Sequence, residues 1–214
     1  MNDKKVEPLR GRHKEGDIEL VDCDIGYQGF FRLERYRLRH RLFAGGMSDL
    51  ITRELFERGH AAAILLYDAN LDQIVLVEQF RIGALNAEGG AWLYEIVAGI
   101  IEPGEMAEEV VRRESVEEAG CKVGRIEKIC DYLVSPGGTS ESISLYCGEV
   151  DSRNVGGIHG LPHEGEDIRV FSVSYADAVN MLMSGDLNTA SPIMALQWLQ
   201  QNRARIRKEW SEGR

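Results

Sequence analysis

Three glutamates, Glu114, Glu117 and Glu118, fall within one turn's length of a stretch, Glu105 to Ala119, that contains no Gly or Pro. Met106, Val110 and Ala119 mark part of an apolar stripe there, so the stretch is expected to be a helix. At about 100° per residue, Glu118 lies about 40° from Glu114 and Glu117 about 60° to the other side. The three carboxylates share one face. Crowding like charges in this way destabilises a helix and raises carboxylate pKa values. A plain solvated acidic face is one reading. The other is a metal cradle, because a hard divalent cation such as Mg²⁺ prefers oxygen ligands and would turn repulsion into ligation.

The spacing around the trio separates these readings. Gly99 is followed after five residues by Glu105, then after seven by Arg113–Glu114, after two by Glu117–Glu118, and after one by Gly120. This resembles the signature box of the Nudix hydrolases at every charged and glycine position. Ser115 and Cys121 depart from the usual aliphatic residues, and neither departure removes a carboxylate. The resemblance implies a mixed-sheet α/β/α sandwich, an α+β fold. In it Glu114, Glu117, Glu118 and the Ala98 carbonyl would bind Mg²⁺ (or Mn²⁺), and Arg113 would pair with Glu105. The implied reaction is hydrolysis of a nucleoside diphosphate linked to another moiety.

Those residues need elements to hold them. Residues 1–17 read as a flexible tail and 18–55 as a small N-terminal region of β-strands. Residues 56–214 read as the Nudix domain. "IELVDCDI" is followed by "FFRLERYRLRHRLF", whose near-alternate Phe31, Leu33, Tyr36, Leu38 and Leu42 read as a long half-buried strand, with a slip near Glu34–Arg35 that suggests a bulge. "HAAAILLYD", "QIVLVEQF" and "AWLYEIVAG" read as three more strands, and others are expected near 125–134, 142–150 and 168–174. Asp151 to Asp167 is a Gly-rich loop. A helix over Tyr175 to Met183 stops at Gly185, and a last helix begins with Ser191 as N-cap and Pro192 at its first position. There is no regular βαβ alternation, which argues against a doubly wound sheet.

Other segments resemble the ADP-ribose pyrophosphatases within that family: "EQFR" (Glu78 to Arg81), "TRELFERGHAA" (Thr52 to Ala62), "SPGGTSE" with Pro136, "GIHGL", "EDIRV" and "ALQWLQ". The implied products are AMP and ribose 5-phosphate; another nucleotide sugar such as GDP-mannose is the alternative substrate. A non-catalytic nucleotide sensor fits less well, since every charged box position is kept. Carried over by position, Phe30, Arg53, Arg81, Ile100 and Glu141 would bind substrate, with Phe30 stacking on adenine and Phe30 and Arg53 reaching the site of a partner subunit. Glu164, on the loop, would be the general base, with Glu166 as its rival. His163 reads as an exposed loop residue, and His13, His40, His60 and His159 as structural. The family also implies a homodimer, and strands 18–55 look too few to bury both faces alone.

Composition bounds the partners. The 214-residue chain is 43% hydrophobic and 28% charged, as an ordinary globular protein is. A net charge of −10 argues against sequence-independent nucleic-acid binding. No apolar run approaches the roughly 20 residues of a membrane span. The polar N-terminus lacks the apolar core of a signal peptide, and four scattered cysteines form no disulfide or zinc framework, so a cytoplasmic location is expected.

Overall fold

The computed structural model describes residues 14–211; the expected tail over 1–17 lies largely outside the described residues, as does His13. The chain forms two units. One holds residues 14–58 with 135–140, and the other holds 59–134 with the rest of the described chain.

In the first unit, β1 (Ile18–Gln28), β2 (Arg32–His40) and β3 (Ile51–Glu57) form an antiparallel sheet in that order. Residues 135–140 join it through the Phe56 N–H, which donates to the Gly138 carbonyl at 2.8 Å. Strand alternation separates two faces. One carries cross-strand ion pairs, Arg35–Asp24, Arg37–Asp22 and Arg39–Glu19. The other carries Leu20, Leu38 and Ile51 in register. Ile18, Leu20 and Ile25 are each more than half exposed. The bulge expected at Glu34–Arg35 is not on β2. The register slips instead between Leu20 and Asp22 and between Ile25 and Tyr27, so the extra residues are Val21 and Gly26 on β1. The slip in the β2 pattern arises because Leu33 shares a face with Arg35, Arg37 and Arg39 while Tyr36 and Leu38 lie on the other.

The second unit is built on an eight-stranded mixed sheet. Its strands are β4 (Ala61–Asp68), β5 (Gln73–Phe80), β6 (Trp92–Glu95), β7 (Val97–Ile100), β8 (Ile126–Leu133), β9 (Ser142–Glu149), β10 (Gly157–His159) and β11 (Ile168–Ser174). The order is β10-β11-β5-β4-β9-β8, with β6 against β5 and β7 against β4; β4 and β9 run parallel. Helix α1 (Ala107–Glu117) covers one face, and α2 (Tyr175–Ser184) and α3 (Ala190–Ser211) cover the other. β4 is buried along its whole length because it serves both cores. Ala62, Ile64 and Leu66 face α1, while Ala63, Leu65 and Tyr67 face α2 and α3.

Three local expectations change. The strand read over 91–99 is two strands, broken at buried Ile96, so that β6 pairs β5 and β7 crosses to β4. The Gly-rich loop contains a short strand, β10. Helix α3 starts at Ala190: Thr189 offers the first helical carbonyl, to Ile193, and Pro192 stands at the third position, where it has no N–H to satisfy. The Ser191 hydroxyl is bonded to the Tyr132 hydroxyl at 2.6 Å instead of capping the helix.

Candidate active site

Helix α1 is set by its sequence at both ends. Gly104, at φ +93°, turns the chain in, and the Glu109 carboxylate accepts the Met106 N–H at 3.3 Å. Gly120, at φ +61°, turns it out. Val110, Val111 and Ser115 face the sheet. The buried Ser115 hydroxyl donates to the Val111 carbonyl at 2.6 Å, which satisfies a polar group at an aliphatic position. Cys121 is buried too, so both departures from the box occupy packing positions.

Glu114 and Glu118 lie on the same side of the helix as Val110, Val111 and Ser115 and are turned onto β7, with Glu117 towards the edge. Arg113 lies among them, 2.7 Å from Glu114, 3.0 Å from Glu117 and 3.5 Å from Glu105. Burial works against its charge, but the surrounding glutamates more than offset this and raise its pKa. Gly99 passes directly beneath Glu114: a Cβ there would sit 2.1 Å from Glu114 Oε1, so any side chain would evict the carboxylate. Glu118 is 2% exposed, and the Ala98 N–H donates to its Oε2 at 3.1 Å. Burial pushes its pKa up to about 8; the Ala98 bond and Arg81 oppose the shift, while Glu114 and Glu166 add to it. Burial also raises Glu114, against the pull of Arg113.

Glu166, on the loop before β11, therefore belongs to the same electrostatic neighbourhood. Its Oε2 accepts the Leu161 N–H at 3.0 Å. Glu164 ends a 3-10 turn, Pro162–Glu164, and is exposed, with its carboxylate 3.6 Å from His163 Nε2. The structure thus brings Glu114, Glu117, Glu118 and Arg113 together, with Glu166 and Arg81 close enough to act on the Glu118 charge, and leaves Glu164 exposed on the loop beside His163.

The remaining expected residues are spread more widely. Arg81 follows β5 and pairs with Glu95 at 2.7 Å. Ile100 is half-buried on β7, two residues after Ala98. Glu141, just before β9, is buried. Phe30 and Arg53 belong to the first unit. Phe30 caps the β1–β2 turn at 87% exposure, edge-on to Phe31, and Arg53 lies on β3 opposite Tyr36. One residue escaped the sequence reading. Gln79, on β5 two residues before Arg81, is 6% exposed and its Nε2 has no hydrogen-bond partner among the described residues. The signal was there: an amide set between Glu78 and Phe80 at the end of the apolar run "IVLV".

Among the described residues, no three His, Cys, Asp or Glu side chains already converge on one point. Glu114 and Glu117 are held by Arg113, and Glu118 by Ala98. The donor set nevertheless suits a hard cation. It consists of carboxylates in a partly buried field whose charged form is disfavoured until a positive charge arrives. A pH dependence follows for the metal-free protein. Glu118 binds its proton more tightly folded than unfolded, so its contribution is full below pH 4.5 and is lost as pH rises towards 8. One proton of linkage is about 1.4 kcal/mol per pH unit, or about 3 °C in melting temperature for a chain of this size. The metal-free melting temperature should fall by that slope through this window, and saturating Mg²⁺ should flatten it. A flat metal-free profile would contradict the burial of Glu118.

A sheet flanked by helices, with a glutamate-rich loop–helix–loop on one face, defines a protein class. A NUDIX domain model matches residues 57–193, and the chain belongs to that family. Its relatives include the ADP-ribose pyrophosphatase of Escherichia coli strain K12, 48% identical over 197 residues, covering 92% of this chain and 94% of that protein. That of Haemophilus influenzae is 43% identical over 200 residues, covering 92% of each. A GDP-mannose pyrophosphatase of Pectobacterium atrosepticum is 34% identical over 184 residues, covering 84% of this chain and 92% of the other. In fold, a crystal structure of an ADP compounds hydrolase superposes with a TM-score of 0.66 at 18% identity, covering 87% of this chain and 97% of that one.

Proposed function

We propose that this protein is an ADP-ribose pyrophosphatase that uses Mg²⁺ and hydrolyses ADP-ribose to AMP and ribose 5-phosphate. Glu118 carries the chemistry: a buried carboxylate in the field of Glu114 and Glu166. The choice of sugar rests on the relatives, since the two ADP-ribose pyrophosphatases match at 48% and 43% and the GDP-mannose enzyme at 34%.

Glu114, Glu117, Glu118 and the Ala98 carbonyl would hold Mg²⁺, with Glu166 facing the same charge. Bound there, Mg²⁺ would neutralise pyrophosphate oxygens and acidify water. Arg113 would keep the helix carboxylates ordered, and Arg81 would meet the phosphates. The Gln79 amide is suited to donate to an anionic oxygen on that side of the sheet. Glu164 would accept the proton of the attacking water. Glu166 suits that role less, because a carboxylate already sharing the field of two others is the one a cation would claim. Ile100 and Glu141 would line the nucleotide end, and Phe30 would stack on adenine.

A homodimer completes the reading. The apolar face of the N-terminal sheet, with Ile18, Leu20 and Ile25 largely exposed, is the kind of surface a second copy covers. Phe30 and Arg53 would then serve the partner's site. Sedimentation equilibrium should give twice the 24.0 kDa chain mass; a 24.0 kDa species at assay concentrations contradicts the dimer. The cysteines are all free thiols, which accords with the cytoplasm, and no described helix is long and apolar enough to cross a membrane.

A substrate panel tests the function. kcat/KM for ADP-ribose should exceed that for GDP-mannose by at least about tenfold, the equivalent of one well-placed contact. The reverse preference would overturn the assignment while leaving the metal site standing.

A further inference from the structure

The C-terminal end of α1 is occupied. The Gly120 N–H donates to the Val116 carbonyl and the Cys121 N–H to that of Ser115. The Glu117 carbonyl, in the last turn, accepts from outside the helix: the Gly160 N–H reaches it at 3.3 Å. The neighbouring His159 ring stands against Gly120 with Cε1 nearest: an added Cβ there would be 2.7 Å from Cε1 and 3.3 Å from Nδ1. His159 Nε2 is 3.0 Å from the Gly156 carbonyl, which fixes the ring in this pose.

The next residues form a closed loop. Gly160, at φ +96°, bends so tightly that a Cβ there would lie 2.7 Å from the Cβ of Glu166. Leu161 and Glu166 are tied twice, by the Leu161 N–H to the Glu166 carboxylate at 3.0 Å and by the Glu166 N–H to the Leu161 carbonyl at 3.3 Å. A continuous chain of contacts therefore runs from the helix that carries Glu114, Glu117 and Glu118 to the loop that carries Glu164 and Glu166. His159 and Gly160 make the contacts of this chain with the helix end.

We propose that His159 is a positioning residue: its ring, seated on Gly120, fixes the 161–166 loop to the end of α1 and so sets where Glu164 and Glu166 stand relative to the helix carboxylates. The role rests on the reading of that loop as bearer of the base. Gly120 then does two things, ending the helix and leaving the space the ring fills.

The test is a double-mutant cycle of His159→Ala and Gly120→Ala in the full chain with Mg²⁺, alongside amide hydrogen exchange over residues 157–166. His159→Ala should lower kcat by roughly 10- to 100-fold, the scale of a misplacement near 1 Å, with KM changed less than about twofold. Gly120→Ala should act on the same contact, so the double variant should lose far less than the product of the two singles. His159→Gln, which keeps a donor for the Gly156 carbonyl, should recover much of the rate. Exchange at Gly160 and Leu161 should quicken in His159→Ala. Additive effects, an unchanged kcat, or unchanged exchange would each overturn the proposal. Glu164→Gln and Glu166→Gln in the same assay keep the two readings apart. If both retain full activity, the loop does not bear the base, whatever the cycle shows.

Discussion

Glu118→Gln is expected to lower kcat with ADP-ribose by about 10²- to 10³-fold, because a metal's charge stabilisation is worth several kcal/mol and each 1.36 kcal/mol is tenfold. The substitution keeps the shape of a side chain that is 2% exposed and removes only its charge. Its effect on the fold should therefore be small and opposite in sign to its effect on rate. At pH 8 the metal-free variant should be at least as stable as the parent, since a buried amide avoids the cost of ionising there. It should also gain little melting temperature from Mg²⁺. Thermal melts with and without metal, paired with AMP release, separate these effects. A variant that turns over at the parental rate in saturating Mg²⁺ would remove Glu118 from the metal site.

The second large effect belongs to the loop. Glu164→Gln should lower kcat by about 10²- to 10⁴-fold, the range of a lost general base, with KM little changed. Glu166→Gln should act differently. Its carboxylate adds to the field at Glu114 and Glu118 and holds the Leu161 N–H. Losing its charge should raise the Mg²⁺ concentration needed for half-maximal rate, and excess metal should recover part of the activity. Glu164→Gln should not respond to excess metal. If Glu166→Gln shows the metal-independent loss and Glu164→Gln is active, the roles are exchanged.

Much of the site could be read from spacing because it lies on one helix. Periodicity alone puts Glu114, Glu117 and Glu118 on one face, and Gly99 and Gly120 bracket them. What spacing could not show was who holds each carboxylate. Arg113 bridges three glutamates, and Glu118 is buried through packing against β7, which depends on the chain breaking at Ile96 to cross from β5 to β4. The bulges at Val21 and Gly26 did leave marks in β1: the apolar alternation changes phase at Leu20–Val21, and a lone glycine interrupts the strand; the register with β2 shows both. β10 was hidden because three residues among glycines carry no alternation. Its partners, β11 and the end of α1, are what make it a strand and an anchor. The Ser191 hydroxyl was drawn from its expected cap by Tyr132, a residue 59 positions away.

The most direct measurement follows phosphorus. The metal-stripped protein would be given ADP-ribose, and products read by ³¹P NMR before and after Mg²⁺ is added. The account predicts no turnover without metal, then AMP and ribose 5-phosphate in equal amounts once Mg²⁺ is present. Hydrolysis that persists in excess chelator, or ADP-ribose left intact with Mg²⁺ present, would contradict it.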